Sequence, residues 1–296
     1  MVETLARFGL EDPSFKQTAV DIISNTYAKS PNQQNAKNWK NDYYDDMGWW
    51  AMGWIASYDL TGDAKYLNTA KDIFEDMTGG WNTPCNGGLW WNKKHDSIAA
   101  ISNELFLSVG ASLANRVGSP EKDEYLHWAQ MEWDWFWNSG VINSNGLIND
   151  GIDKTTCKND GKTTYTYNQG VVLAGLSELG RAKGDGGLIQ HANDIAKAAM
   201  SRLSDNGILT EPVSGPLDIQ GAQFKGAFVR GLSSLNKNEP QQSVTDFLKK
   251  NAEAAWSQPK VDNGVIPDRW QGGSSNANTA SHAAGIDVLV AAAQAT

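Results

Sequence analysis

Tyr43-Tyr44-Asp45-Asp46-Met47-Gly48-Trp49-Trp50-Ala51-Met52-Gly53-Trp54 sets two adjacent carboxylates at the head of a segment that is apolar on nearly every side. The segment runs on to about Tyr58 and stops at Asp59-Leu60-Thr61-Gly62-Asp63. A helix apolar all round is a buried helix, so residues 43–59 read as an inner element of a larger helical body. The next segment, Ala64–Met77, keeps one polar face and reads as an outer helix. Buried helix, tight connection and amphipathic helix make one hairpin.

The hairpin recurs. Inner helices are expected at 1–8, 43–59, 96–115, 164–182, 221–235 and 277–295. Outer helices are expected at 13–29, 64–77, 121–137, 187–203 and 240–256. Short connections (Leu60-Thr61-Gly62-Asp63, Gly118-Ser119-Pro120, Gly184-Asp185, Asn236-Lys237-Asn238-Glu239) alternate with long ones. The long loops share a mark: Asn86-Gly87-Gly88-Leu89, Asn145-Gly146-Leu147, Asn206-Gly207-Ile208 and Asn263-Gly264-Val265. Asn-Gly signals a turn with φ > 0, and the marks recur at steps of about 58, 61 and 57 residues, one per hairpin. One hairpin cannot bury its apolar face alone, so neighbours must stack. Strict alternation then puts every short loop on one end of a ring and every long loop on the other. Long loops on a rigid scaffold are where function collects. Asp45 and Asp46 start an inner helix, so they stand at the long-loop mouth. Six inner helices and five outer ones imply an outer helix ahead of Met1 that this chain lacks.

Composition narrows the chemistry. The chain has 296 residues, 40% of them hydrophobic, with 13 Trp, and no Pro-, Ser- or charge-rich linker, so residues 1–296 read as a single domain. A net charge of −9 argues against nucleic acid and suits a neutral ligand. No apolar run is long enough for a membrane span, and Met1-Val2-Glu3 does not open a signal peptide. The four His (95, 127, 191 and 282) show no metal-ligand spacing, and neither metal nor cofactor is expected. Cys85 and Cys157 both fall in loops; a disulfide and two free thiols are equally open readings.

Paired carboxyls among indole rings suit glycoside cleavage: one supplies an acid, the other a nucleophile or base, while flat apolar rings meet the C–H face of a pyranose. The opposing reading is that Asp45 and Asp46 only cap a helix. Tyr44-Asp45-Asp46-Met47-Gly48-Trp49-Trp50 resembles the Asp-Asp signature of glycoside hydrolase family 76, the endo-α-1,6-mannanases. Four further blocks are similar to the family pattern in the same order: Gly87-Gly88-Leu89-Trp90-Trp91, Ile101-Ser102-Asn103-Glu104-Leu105-Phe106-Leu107, Thr166-Tyr167-Asn168-Gln169-Gly170 and Phe224-Lys225-Gly226-Ala227-Phe228-Val229-Arg230. The resemblance implies an all-α (α/α)6 barrel acting as a retaining, endo-acting glycoside hydrolase of α-1,6-mannosidic linkages. It implies double displacement, with Asp45 as nucleophile and Asp46 as general acid/base. Its partner would be α-1,6-linked mannan or manno-oligosaccharide, and the protein a secreted or cell-wall monomer. The loop style and cysteines resemble fungal members most, a branch associated with transfer of mannan-linked anchors to glucan. Mannan transglycosylation on the same site is therefore one alternative, and a non-catalytic glycan-binding protein is another.

Other candidates carry two readings each. Trp90 and Trp91 stack on sugar or anchor their loop. Asn103, Asn168 and Gln169 bind sugar hydroxyls or satisfy backbone near inner-helix starts; Tyr167 lies among them. Asp150 accepts a hydroxyl or closes an Asx turn. Lys225 binds hydroxyls or pairs with inner-ring carboxylates, and Arg230 reads as an ion-pair residue. Burial and the neighbouring charge are expected to keep Asp46, the acid, protonated.

Overall fold

A computed structural model of the protein describes residues 1–33, 35–258, 264–273 and 276–295. Eleven α-helices are described: α1 Val2–Glu11, α2 Lys16–Lys29, α3 Tyr44–Thr61, α4 Ala64–Thr78, α5 Ala100–Ala114, α6 Glu121–Asn138, α7 Thr166–Lys183, α8 Gly186–Arg202, α9 Phe224–Asn238, α10 Gln242–Ser257 and α11 Thr279–Gln294. The odd-numbered helices pack each against the next, and α11 returns to α1, closing an inner ring. The even-numbered helices lie outside it, each against its hairpin partner. Every residue of α5 is buried, as an inner helix requires, while α4 and α10 bury one face only. The fold is an all-α toroid of helical hairpins. No helix among the described residues is long and apolar enough to cross a membrane.

Helix α2 starts at Lys16 rather than 13 and α5 at Ala100 rather than 96, where Ile98–Ala99 are extended, and two further boundaries differ. Helix α1 does not stop at Gly9 but runs through it to Glu11; a Cβ on Gly9 would meet Ala19 at 3.0 Å and Leu60 at 3.2 Å, so this glycine lets α2 and α3 close on α1. Residues 221–235 open as a 3-10 turn, Gly221–Gln223, before α9 begins.

The long loops hold more strand than periodicity suggests. Three two-stranded antiparallel ribbons lie in them: β1 (Trp81–Thr83) with β2 (Gly87–Leu89), β3 (Ile98–Ala99) with β4 (Gly151–Ile152), and β5 (Ser204–Asp205) with β6 (Ile208–Leu209). The turns of the long loops use the marked residues: φ is 64° at Asn86, 73° at Gly146, 49° and 78° at Asn206 and Gly207, and 69° at Gly264. Asn263 lies outside the described residues.

Each turn is then gripped by a polar side chain from a helix. Asn103 Oδ1 accepts from Leu89 N–H at 2.6 Å and its Nδ2 donates to Leu89 O at 3.1 Å. Gln169 does the same to Ile148, at 2.8 Å both ways. Asn251 holds Leu209 N–H at 2.7 Å and Gly207 O at 2.9 Å. In the last loop Ser281 Oγ donates to Ile266 O at 2.8 Å, and His282 Nδ1 accepts from Ile266 N–H at 3.3 Å. The recurring unit is therefore a hairpin plus a clamp that reaches back to fix the preceding long loop.

Cys85 and Cys157 form a disulfide across 72 residues, tying the β1–β2 hairpin to the loop after β4. Closing a loop of that length restricts the unfolded chain and stabilises the fold by about 2–4 kcal/mol. Cys85→Ser is expected to lower the unfolding free energy by that amount and to raise the denaturant slope, because the unfolded chain expands. An unfolding free energy equal to that of the unsubstituted protein would remove the bridge from the stabilising contacts.

Candidate active site

The N-cap of α3 is Tyr43, which makes no side-chain cap hydrogen bond, and Asp45 and Asp46 lie in the first turn beyond it. The loop after β2 is stitched to this helix start. Tyr44 N–H donates to Trp91 O at 3.0 Å and Lys93 N–H to Asp42 O at 2.8 Å. That pairing lays Trp91 beside the first turn, where its Nε1–H donates to Asp45 Oδ2 at 3.0 Å. Asp45 Oδ1 is buried with no hydrogen-bond partner. Asp46 lies about 100° further round the helix; it is exposed at the mouth and accepts from Asn41 Nδ2 at 2.8 Å.

Burial pushes the Asp45 carboxyl up to about 6, helped by the charge of Asp46 and opposed by the Trp91 hydrogen bond. Sequence reasoning put this pressure on Asp46. The structure puts it on Asp45, because that side chain turns under the Trp91 loop while Asp46 faces solvent.

Tyr167 is the point on which Asp45, Asp150 and Glu104 converge, from three elements. Its phenol is raised by burial and then by the charges of Asp150, Glu104 and Asp45. Its hydroxyl donates to Asp150 Oδ1 at 3.4 Å. The β3–β4 pairing places Asp150: Ala100 N–H donates to Asp150 O at 2.8 Å, and Gly151 must be glycine because a Cβ would sit 2.2 Å from Ile98 O. The Asp150 carboxyl is raised by burial and the charge of Asp160, and lowered by Lys162, Tyr167 and Asn168. Asn168 is fully buried beside Asp150, and neither of its amide atoms completes a hydrogen bond.

Three readings are corrected. Asn103 and Gln169 direct their amides to loop backbone, including Ala99 O at 2.8 Å and Tyr165 O at 2.9 Å, so they position the mouth and do not face sugar. Trp90 is 9% exposed and stacks on His95 with centroids 4.7 Å apart, so it anchors its loop. Lys225 is enclosed with its ammonium 4.2 Å from the Trp270 ring; burial lowers its pKa, against the charges of Glu211 and Asp268. Trp91 stays half-buried at the site, edge-on to Tyr43 at 5.0 Å. Arg230 is an ion-pair residue, bound to Glu3 at 3.0 Å and to Asp287.

Sequence reasoning missed two groups. One is the pair of rings that join the candidate Tyr167 in an aromatic wall at the starts of α7 and α9: Phe224 packs on Tyr167 at 4.3 Å and Tyr165 packs on it at 5.9 Å, all three half-buried. The other is Glu104. Its carboxyl is buried without a hydrogen bond and raised well above the usual range by burial, then by Asp150 and Glu132. An acid inside the apolar run Ile101–Leu107 was the available signal, since unpaired Glu is rarely buried.

The open acid Asp46, the half-buried acid Asp45 with one free oxygen, and flat aromatic walls form a site able to hold a neutral ring and move one proton. The sequence model of glycosyl hydrolase family 76 matches residues 2–295. The mannan endo-1,6-alpha-mannosidase DCW1 of Candida albicans is 26% identical over 234 residues, covering 71% of this chain and 51% of that protein. The mannan endo-1,6-alpha-mannosidase DFG5 of Saccharomyces cerevisiae is 28% identical over 232 residues, covering 71% and 50%. The chain spans about half the length of the curated relatives it matches. Among solved structures, an inactive variant of the α-1,6-mannanase GH76A of Salegentibacter sp. HEL1_6, with two adjacent Asp-to-Asn substitutions and bound α-1,6-mannotriose, superposes with a TM-score of 0.83. It is 22% identical, with 99% of this chain and 87% of that chain covered, a likeness that shows the fold.

Proposed function

The chain belongs to glycosyl hydrolase family 76, and from that premise we propose that it cleaves α-1,6-mannosidic linkages within mannan by double displacement. Residues 1–296 act as one catalytic domain. The observation that carries this reading is the position of Asp45 and Asp46. Both stand at the long-loop mouth, neither occupies the N-cap position, and Asp45 has a buried oxygen without a hydrogen-bond partner.

The Asp45 carboxylate attacks the anomeric carbon as the glycosidic C–O bond breaks, and Asp46 gives its proton to the departing oxygen. Asp46 then takes a proton from water, which attacks the same carbon and frees Asp45 with the α configuration restored. The Trp91 N–H bond holds Asp45 in place and favours its charged form. Trp91 and the Tyr165–Tyr167–Phe224 wall supply the flat faces, and Asp150, with the buried Asn168 behind it, accepts from sugar hydroxyls. A disulfide suits an oxidising compartment, consistent with a secreted or cell-wall enzyme.

The test is incubation with linear α-1,6-mannan across pH. Shorter oligosaccharides are expected. The nucleophile must be ionised, so kcat/KM should rise as pH increases through about 6, where Asp45 loses its proton. Longer or transferred products would instead establish transglycosylation, and binding without turnover a glycan-binding protein.

A further inference from the structure

The outer wall of the toroid carries a second cavity, of about 510 Å³, that includes neither acid of the mouth nor any residue grouped around them. It opens between the β1–β2 hairpin and the C-terminal end of α6, an outer helix. Two indoles, three amides and one carboxylate give it its character: Trp81, Trp135, Asn82, Asn86, Asn138 and Asp134. We propose that it is a secondary carbohydrate-binding site, holding a stretch of neutral hexopyranose polymer outside the barrel.

The aromatic walls are built to be rigid. Trp135 lies against the backbone of Gly87 and Gly88, where added Cβ atoms would come within 2.8 Å and 2.5 Å of its ring. Its Nε1–H donates to Cys85 O at 3.0 Å, and the Cys85–Cys157 bridge holds that loop in turn. One face of the indole is thus fixed on two glycines while the ring borders the cavity. Trp81 is set by its pairing with Leu89 and packs edge-on to Trp128 at 6.0 Å.

The polar lining selects the ligand class. No Lys or Arg borders the cavity, and its one charge, Asp134, accepts from Gln130 Nε2 at 2.7 Å. Anions are therefore disfavoured. Asn82 and Asn86 are exposed, and among the described residues neither side chain makes a hydrogen bond, so four donor and acceptor atoms remain for hydroxyls. Flat apolar faces beside free amides match a pyranose, apolar on its C–H face and polar around its rim. The volume falls in the usual range of ligand sites, about 300–1,000 Å³. A polymer tethered here reaches the mouth as an intramolecular partner, which raises its effective concentration there. Only the choice of mannan as the polymer rests on the proposed activity.

The test is calorimetric titration of α-1,6-mannotetraose into protein carrying Asp45→Asn and Asp46→Asn, with and without Asn82→Gly and Asn86→Gly, which remove the free amides and keep the positive φ. Two sites per chain are expected, one weakened about tenfold by the outer substitutions and the other unchanged. In the otherwise unsubstituted protein, the outer pair should slow release from long mannan about three- to tenfold and leave kcat/KM on mannotetraose unchanged. One site per chain, or a second site indifferent to these substitutions, would overturn the proposal. Failure of the catalytic reading shows separately, as absence of turnover with both binding events intact.

Discussion

Asp46→Asn is expected to lower kcat on α-1,6-mannan by about 10²–10⁴-fold, the usual share of a positioned proton donor. Asp45→Asn is expected to remove turnover more completely, because no covalent intermediate can form. Azide separates the two roles. On an aryl α-1,6-mannobioside, whose leaving group departs without protonation, a small anion can replace the activated water, so Asp46→Asn should recover and release the α-glycosyl azide with retained configuration. With Asp45→Asn, azide can only occupy the nucleophile's place and give the inverted β-azide. The same product from both variants would reject the assignment of roles, and unaltered turnover in either would reject the site.

Stability separates catalysis from architecture in the same variants. The folded pKa of Asp45, about 6, lies above its unfolded value of about 4. The fold therefore binds that proton more tightly than the unfolded chain does, and ionisation weakens the fold. The penalty is absent below about pH 4, grows through pH 6 and is complete above it. Asn has no such penalty and can still accept from Trp91. Asp45→Asn should melt no lower than the unsubstituted protein at pH 7, and a large drop in melting temperature would mean that Asp45 is structural.

The toroid was legible because its signals are periodic. Connection length alternates, inner helices are apolar all round, and Asn-Gly recurs once per hairpin where φ must be positive, as at Asn206 and Gly207. That Asp45 and Asp46 begin an inner helix was legible through the same order. Asn103 and Gln169 were not, since an amide near an inner-helix start has the same sequence whether it turns to the cleft or to a loop carbonyl. Only the fold shows that Leu89 and Ile148 lie within its reach. The burial of Asp45 was misplaced by one residue for a related reason: the side on which the Trp91 loop closes depends on the backbone pairing of Tyr44 with Trp91, a contact between residues 47 positions apart. The aromatic wall needs α7 and α9 side by side, and their approach rests on two glycines that no repeat marks.

Those two glycines give the second large expected effect. A Cβ on Gly231 would stand 1.8 Å from Gly170 O and 2.6 Å from Gly170 C, and one on Gly170 would stand 2.2 Å from Phe228 Cα. Every atom it would meet there is helical backbone, so no flexible side chain can swing away and the helices themselves must part. Overpacking of that kind costs about 3 kcal/mol or more, against at most about 1 kcal/mol recovered from the better helix propensity of Ala. Gly231→Ala should therefore lower the melting temperature by on the order of 5–10 °C. Gly186→Ala is the control: Gly186 starts α8 with nothing within 4 Å of an added Cβ, and this change should be neutral or slightly stabilising. The effect should also reach the mouth. Tyr167 begins α7 and Phe224 begins α9, so parting the helices opens the aromatic wall beside Asp45. At temperatures where Gly231→Ala remains folded, KM for mannan should rise while the pH dependence through Asp45 is kept. If Gly231→Ala melts with Gly186→Ala and binds mannan equally well, the close approach of α7 and α9 does not set the geometry of the site.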